Sequence, residues 1–510
     1  MTQHTDPEIP PAPTYAMGFK TLEAEVSIGS LPTTGKFPSW LVGTLVRNGP
    51  GKFEAGRDLL DHHFDGFAML HRFTFGEGGV SYANRYIQSR SFEFQRREGR
   101  LGAATFSSAA PLAGEPRAEG PAYAKAPDVN PGVTVERIAG EHVALTDGSP
   151  VPVRFDLSTL ETLGALVWED DLQVRDCAGN AVDSRGARAT TAHCHRDANG
   201  DVINYYVQPG APGRPAAYNF YRAPKGTRRR ERLAWVPTDH AAYVHTFCVT
   251  ERYIVFPESP LRSDPARFVG RSGFARTLYW RADTGMILHV IDKTSGKVVR
   301  RFEVRPCFVM HTINAFEDGE TVVLDMATYD DARHIDELYF EPSLRPAGGR
   351  YPDARVPELR SHSRPCRFRL NLATGEADEE VLAPVTIELP TINYARYNGR
   401  RNRFFYSTGI SNDPQARFYD QLASMDTETG DVATWRSPGC FPGEPVFVPR
   451  PGADAEEDGI LLSLVLNGAS GRSHLMALQP RTLEEVARVE LPHHVPSGFH
   501  GRFFPPGAQD

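Results

Sequence analysis

Long apolar runs are missing from this 510-residue chain. GILLSLVL (459–466) is among the longest, far short of the roughly 18 residues a membrane-spanning helix needs. A spanning helix is therefore excluded. The first residues, MTQHTDPEIPPAPTYAMG, are polar and rich in proline. They lack the basic start and apolar centre of a signal peptide, so a cytoplasmic setting is expected, with peripheral membrane contact left open. Cysteine is scarce, with six residues and no CxxC pair. A chain of this length does not depend on disulfides, and the thiols are expected to be reduced and mostly buried. Excess positive charge is also absent: 56 Lys and Arg stand against 64 Asp and Glu, a net charge of −8. That argues against a nucleic-acid partner.

Hydrophobic residues make up 40% of the chain and charged residues 24%, which excludes disorder and coiled coil. With 45 Gly and 41 Pro, the chain is rich in turns. Its dominant pattern is short apolar runs joined by Gly with Asp, Asn, Ser or Thr, a hairpin signal. Examples are 72–87, 194–207, 286–304 and 368–382. Segment 413–426 (DPQARFYDQLASMD) carries a helical apolar period and is expected to form a short helix. A turn around Thr recurs in FDLSTLETLG (155–164), IDKTSGKVV (291–299), LNLATGEAD (370–378), MDTETGDVATW (425–435) and LQPRTLEEVAR (478–488). Such irregular repeats fit the blades of a β-propeller. The expectation is an all-β chain, with a flexible segment over 1–20 and one domain over 21–510. Residues 103–133 read as a long surface loop. Together with 211–224 they carry exposed-looking apolar residues that suit a membrane surface.

Several shorter signals point to little. TRRRER (227–232) reads as a solvated loop and DAEEDG (454–459) as an acidic hairpin tip without calcium-loop spacing. GEGG (76–79) is a turn, and NGASG (467–471) does not match a nucleophile elbow.

Among 17 histidines, His193, His245, His311 and His500 share a context near the start of a strand or hairpin. They are separated by 52, 66 and 189 residues, the last close to three of the shorter intervals. One histidine per blade at matching points would converge on a propeller axis. Four neutral imidazoles there would make a site for Fe, Zn, Cu or Ni. By spacing alone His195, His493, His494, His62 and His63 remain alternatives.

The chain resembles the carotenoid cleavage oxygenases. The resemblance rests on GTLVRNGPGKFEAG (43–56), HHFDGFAMLHRFTFGEGGVSYANRYIQSRSF (62–92), TAHCHRDANGDV (191–202), YVHTFCVTERYIVF (243–256), HTINAFEDG (311–319), IELPTINYARYNG (387–399), EPVFVPRPGADAEEDGILLS (444–463) and FHGRFF (499–504). These stretches occur in family order over nearly the whole chain, with wording nearest the animal β-carotene oxygenases and the related retinoid isomerase. The resemblance implies a seven-bladed propeller with loops and short helices capping one face. It also implies an axial Fe(II) held by His193, His245, His311 and His500, with open positions for O2. Outside the ligands it implies Glu388 and Glu444 as carboxylates that orient imidazoles. Asp147 stands where the family usually has Glu; one methylene shorter, it is expected to reach its imidazole through a water or a small backbone shift.

The implied reaction is oxidative scission of a conjugated C=C bond of a carotenoid or apocarotenoid into two carbonyl products. No catalytic side chain is needed beyond the metal ligands, and a lipophilic polyene is the expected partner. The family also contains stilbene-cleaving enzymes, which carry Lys immediately before the third carboxylate; Thr146 stands here instead. Another branch isomerises retinyl esters. A noncatalytic carotenoid-binding propeller would be expected to lose a ligand histidine, and none is lost. A lactonase-like hydrolytic propeller would place carboxylate and Asn ligands on its axis. The family's animal members carry a lipidated Cys near 110–120, and this chain has no Cys before 177.

Overall fold

In the computed structural model, residues 14–507 are described except 103–104, 109–129, 171, 173, 176–180, 183–188, 209, 211–214, 268–272 and 341–355. Seven large antiparallel sheets follow one another along the chain and form the blades of a β-propeller. Blade 1 runs from Gly501–Phe504 through Gly43–Lys52, Phe67–Gly76 and Gly79–Tyr86 to Ser27–Ile28. Blade 2 comprises Thr134–Ile138, Glu141–Thr146, Ser149–Phe155 and Thr162–Ala165. Blade 3 comprises His195–Arg196, Val202–Gln208, Ala216–Ala223 and Glu231–Thr238. Blade 4 comprises Cys248–Val249, Tyr253–Glu258, Met286–Asp292 and Val298–Val304. Blade 5 comprises Phe308–Asp318, Thr321–Tyr329, Arg364–Asn371 and Ala377–Val381. Blade 6 comprises Glu388–Thr391, Phe404–Gly409, Gln421–Asp426 and Val432–Trp435. In blade 7, Val446–Pro449 and Cys440–Pro442 both pair with Gly459–Asn467, followed by Arg472–Leu478, Glu485–Glu490 and Thr33–Gly35. Each strand order is given from the innermost strand outward, and inner strands touch between blades 1 and 2, 4 and 5, 5 and 6, and 7 and 1.

Two segments close the ring. Gly501–Phe504 supplies the inner strand of the first blade, and Thr33–Gly35 the outer strand of the last. Closure joins the first and last blades, while each blade still ends in a short outer strand.

The core lies between blades rather than at one centre. A separate apolar cluster fills each of the seven interfaces. Phe73 and Tyr82 meet Leu462 and Leu475 between blades 1 and 7, and Val290 and Phe302 meet Leu324 and Phe368 between blades 4 and 5. Because a blade is covered on both faces, its middle strands are apolar on both faces and lose their period-two pattern. That explains two departures from the sequence reading. Gln421–Asp426, expected within a helix, is a fully buried strand of blade 6. Ala216–Ala223, expected to be an exposed apolar stretch, is a buried middle strand of blade 3. Of the expected flexible segment 1–20, residues 1–13 lie outside the described residues. Thr14–Phe19 forms a 3-10 turn that buries Tyr15 and Phe19 against Phe418. Most of 103–133 also lies outside the described residues. The four expected hairpins are present, and five of the six cysteines are buried and free.

The five Thr turns all connect the third strand of a blade to the fourth. In four of them an Asp or Asn side chain caps the turn: Asp156, Asp292, Asn371 and Asp426 each accept from the backbone N–H groups two and three residues on. The fifth position of each turn has positive φ. It is Gly at 296, 375 and 430, but Leu at 160 (59°) and 483 (58°). A left-handed leucine costs roughly 1–2 kcal/mol. Burying its side chain gains roughly 1.5–3 kcal/mol. Both leucines are buried in interface clusters, so burial wins there.

Gly430→Ala is expected to lower stability by about 1–2 kcal/mol, the left-handed cost alone, because its new Cβ meets only ordinary contacts. Gly296→Ala should cost more, since its Cβ would lie 2.1 Å from the Leu233 carbonyl oxygen. Chemical denaturation midpoints of the two variants test the ranking.

Candidate metal centre

Seven side chains meet on the axis, one from each blade, six of them at the inner strands and one from a turn. His193, His245 and His500 lie just before the inner strands of blades 3, 4 and 1. His311 lies within the inner strand of blade 5, where the pairing register is interrupted between Val309 and Asn314. A bulge of this kind re-aims a side chain. The other three blades supply carboxylates. Glu388 begins the inner strand of blade 6, Glu444 precedes that of blade 7, and Asp147 sits in the turn after Glu141–Thr146 of blade 2.

One nitrogen from each of the four histidines lies within 4.8 Å of the others. Nε2 of His193 is 3.0 Å from Nε2 of His245, and Nε2 of His311 is 3.1 Å from Nε2 of His500. Two nitrogens bound at right angles to one ion through bonds of about 2.0–2.1 Å lie about 3 Å apart. The spacing therefore fits neighbouring ligands of a single ion.

The opposite ring nitrogens explain the orientation. Nδ1–H of His245 donates to Asp147 at 2.5 Å, that of His500 to Glu444 at 2.7 Å, and that of His311 to Glu388. A proton held on Nδ1 leaves the Nε2 lone pair facing the axis, the tautomer a metal ligand requires. Asp147 makes this contact directly, so no bridging water is needed despite its shorter side chain.

Each carboxylate is itself held. Asp147 also accepts from Ala192 N–H and the Tyr243 hydroxyl. Glu388 accepts from the Tyr329 hydroxyl at 2.8 Å and from Leu389 N–H. Glu444 accepts from Gly501 N–H and pairs with the buried Arg47 guanidinium. Arg47 also donates to the Phe499 carbonyl, beside His500. Burial works to raise the Glu444 and Glu388 carboxyls, but their imidazole partners, with Arg47 at Glu444, hold both below the ordinary range. Burial pushes His193 down, with the other three imidazoles adding to the shift. It also pushes His500 down to about 4, against the opposing pull of Glu444. Both rings are thus neutral near pH 7, as ligation needs.

The alternative histidines are engaged elsewhere. Nε2 of His195 donates to the Phe247 carbonyl, that of His62 to Ile335 and that of His63 to Ser497. His493 and His494 likewise bond to backbone carbonyls. Among the described residues this is the one histidine-rich cluster able to hold a metal.

Three residues of the site were not singled out from sequence. Tyr243 is two residues before His245, and that spacing could have flagged it. Arg47 sits inside the GTLVRNGPG motif, whose chemistry the motif itself does not announce. Nothing near Tyr329 signals its contact with Glu388.

A cavity of about 820 Å³ opens on His245, His311 and His500. Its walls include Phe64, Phe106, Trp168, Phe274, Phe418 and Phe441. An apolar chamber of this size fits a largely apolar ligand held against the metal position. Of the other sequence signals, one reaches the site: Arg230 of TRRRER and its partner Asp170 line the cavity. GEGG, DAEEDG and NGASG are turns, but TRRRER is not wholly solvated: Arg230 is buried in an ion pair with Asp170.

The family profile of the retinal pigment epithelial membrane protein matches residues 19–505. A carotenoid isomerooxygenase of Galleria mellonella is 33% identical over 500 residues, covering 92% of this chain and 93% of that protein. A mitochondrial carotenoid-cleaving dioxygenase of Homo sapiens is 28% identical over 529 residues, covering 92% of this chain and 87% of the human protein. A solved variant of the Synechocystis apocarotenoid oxygenase has the same fold, with a TM-score of 0.79 at 22% identity and 98% coverage of both chains.

His245→Ala and His500→Ala are each expected to abolish metal retention, read as metal per chain after desalting. Asp147→Asn, Glu388→Gln and Glu444→Gln should each weaken metal affinity about 10–100-fold. Competition with a chelator measures this, and unchanged affinity in all three would refute the orienting role.

Proposed function

The chain belongs to the retinal pigment epithelial membrane protein family, that of the carotenoid cleavage oxygenases, and from this premise we propose that it is a non-haem iron dioxygenase splitting a conjugated C=C bond of a carotenoid or apocarotenoid. The observation that carries this reading is the convergence of four Nε2 atoms at the wall of an aromatic cavity. The donor set suits several first-row divalent ions. Membership in a family of cleavage dioxygenases selects Fe(II), with O2 as the second substrate. A ferrous ion held there supplies the redox chemistry that joins O2 to the double bond, one oxygen atom leaving in each aldehyde or ketone product.

The chain's own residues do the rest. His193, His245, His311 and His500 hold the ion with neutral donors. Asp147, Glu388 and Glu444 keep three rings in the ligating tautomer and place negative charge behind them. The cavity walls are more apolar than polar, so polyene position is set chiefly by shape. Thr146 lines the cavity beside Asp147, and its hydroxyl carries no charge to hold a phenolate. This favours a carotenoid or apocarotenoid over a hydroxystilbene.

The catalytic unit spans 21–510 as one propeller. Among the described residues no helix is long and apolar enough to cross a membrane. Part of the proposal is that the protein works in the cytoplasm and takes substrate at a membrane surface. Val167 lines the cavity and is 66% exposed, which supports an apolar rim at its mouth. Co-flotation with liposomes is expected, and its absence would count against the membrane part alone.

Anaerobic purification, iron analysis and incubation with a carotenoid, an apocarotenal and a hydroxystilbene under O2 test the reading. The expected result is about one iron per chain, as a single such site requires, and paired carbonyl products from a carotenoid or apocarotenal. Cleavage of the stilbene alone would overturn the substrate class. Failure to take up iron would overturn the metal centre.

A further inference from the structure

In a propeller, backbone ladders run within blades, so the spacing between ligands on different blades must be fixed by other contacts. Two buried threonines supply such contacts next to the histidines. Oγ1 of Thr191 accepts from the backbone N–H of His193, 2.9 Å away, and donates to the backbone carbonyl of His245. One hydroxyl therefore joins the backbones of two proposed ligands on blades 3 and 4. Oγ1 of Thr246 donates to the Met310 carbonyl at 3.0 Å and accepts from Thr312 N–H at 2.8 Å. It thus brackets His311 from both sides while standing next to His245. Thr312 returns a bond to the Phe247 carbonyl at 3.1 Å. The pattern recurs at Ser363 of blade 5, whose hydroxyl donates to the Ile387 carbonyl beside Glu388.

We propose that Thr191 and Thr246 are positioning residues of the metal centre, whose hydroxyls fix the separation of His193, His245 and His311 across blades 3, 4 and 5. The inference rests on the reading that these histidines bind a metal. A hydroxyl can donate and accept at once, which lets one atom tie a carbonyl and an N–H together. Valine has the same shape but can do neither, and it would leave buried backbone groups unpaired. Thr191 is 0% exposed and Thr246 5%. Neither lines the substrate cavity, so neither acts through substrate contact.

The test uses the full chain loaded with Co(II), whose optical bands report ligand geometry independently of turnover. Thr246→Val and Thr191→Val are expected to weaken Co(II) affinity at least tenfold and to shift those bands. With iron and substrate, kcat should fall while KM stays near wild type. Thr246→Ser and Thr191→Ser, which keep the hydroxyl, should restore affinity and spectrum. Thr250→Val removes a buried hydroxyl of blade 4 that bonds Glu317 and the Tyr253 N–H, farther along the strands and clear of the ligands and the carboxylates that hold them. It should lower thermal stability but leave the Co(II) spectrum unchanged. If a valine variant does not fold, the alanine variant at the same position takes its place. Folded variants with wild-type affinity and spectrum would overturn the proposal, as would failure of serine to rescue. Failure of the wild-type protein to take up Co(II) or iron would instead overturn the metal reading beneath it.

Discussion

An imidazole has two ring nitrogens, and a proton can sit on either. In this protein three hydrogen bonds from Nδ1–H to a carboxylate remove that choice at His245, His311 and His500. Everything else at the axis depends on them. With the proton held outward, the Nε2 lone pairs converge, and the donor set becomes neutral nitrogen with negative charge one bond further out. The same bonds orient the rings, so the carboxylates set both the electronic state and the aim of the ligands.

The propeller makes this arrangement economical. Seven inner strands meet around one axis, and each blade gives one side chain to the site. Four give imidazoles. Blades 6 and 7 give glutamates at corresponding strand starts, and blade 2 gives Asp147 from a turn. The stability of the ring comes from elsewhere, in the apolar clusters between blades. Site and core are therefore separated in space, which lets the axis be polar without opening the interior to water.

Much of this was legible in the sequence, for physical reasons that differ by residue. The histidines stood out because a repeated fold repeats its spacing. The Thr turns stood out because a capping Asp or Asn and a left-handed fifth position need particular residues. Other features were hidden by the same architecture. Gln421–Asp426 looked helical because a strand buried on both faces carries no alternation to read. Asp147 seemed too short because the sequence does not show how near its turn comes to His245. Arg47 and Tyr329 touch the site from other strands, and Thr191 and Thr246 lie in the segments leading into inner strands, with hydroxyl partners that only the fold reveals.

Ring closure has a consequence for the order of synthesis. Blade 1 receives its inner strand from Gly501–Phe504, and His500 immediately precedes it. The third ligand is made 189 residues earlier. At about 5–20 residues per second a ribosome needs about 10–40 s to cover that interval. During it three of the four imidazoles have been made, and the edge of Gly43–Lys52 that Gly501–Phe504 will pair has no partner. The same strand that shuts the ring delivers the fourth nitrogen. Completion of the propeller ring and completion of the coordination sphere thus depend on the same last segment, and a prematurely terminated product can achieve neither.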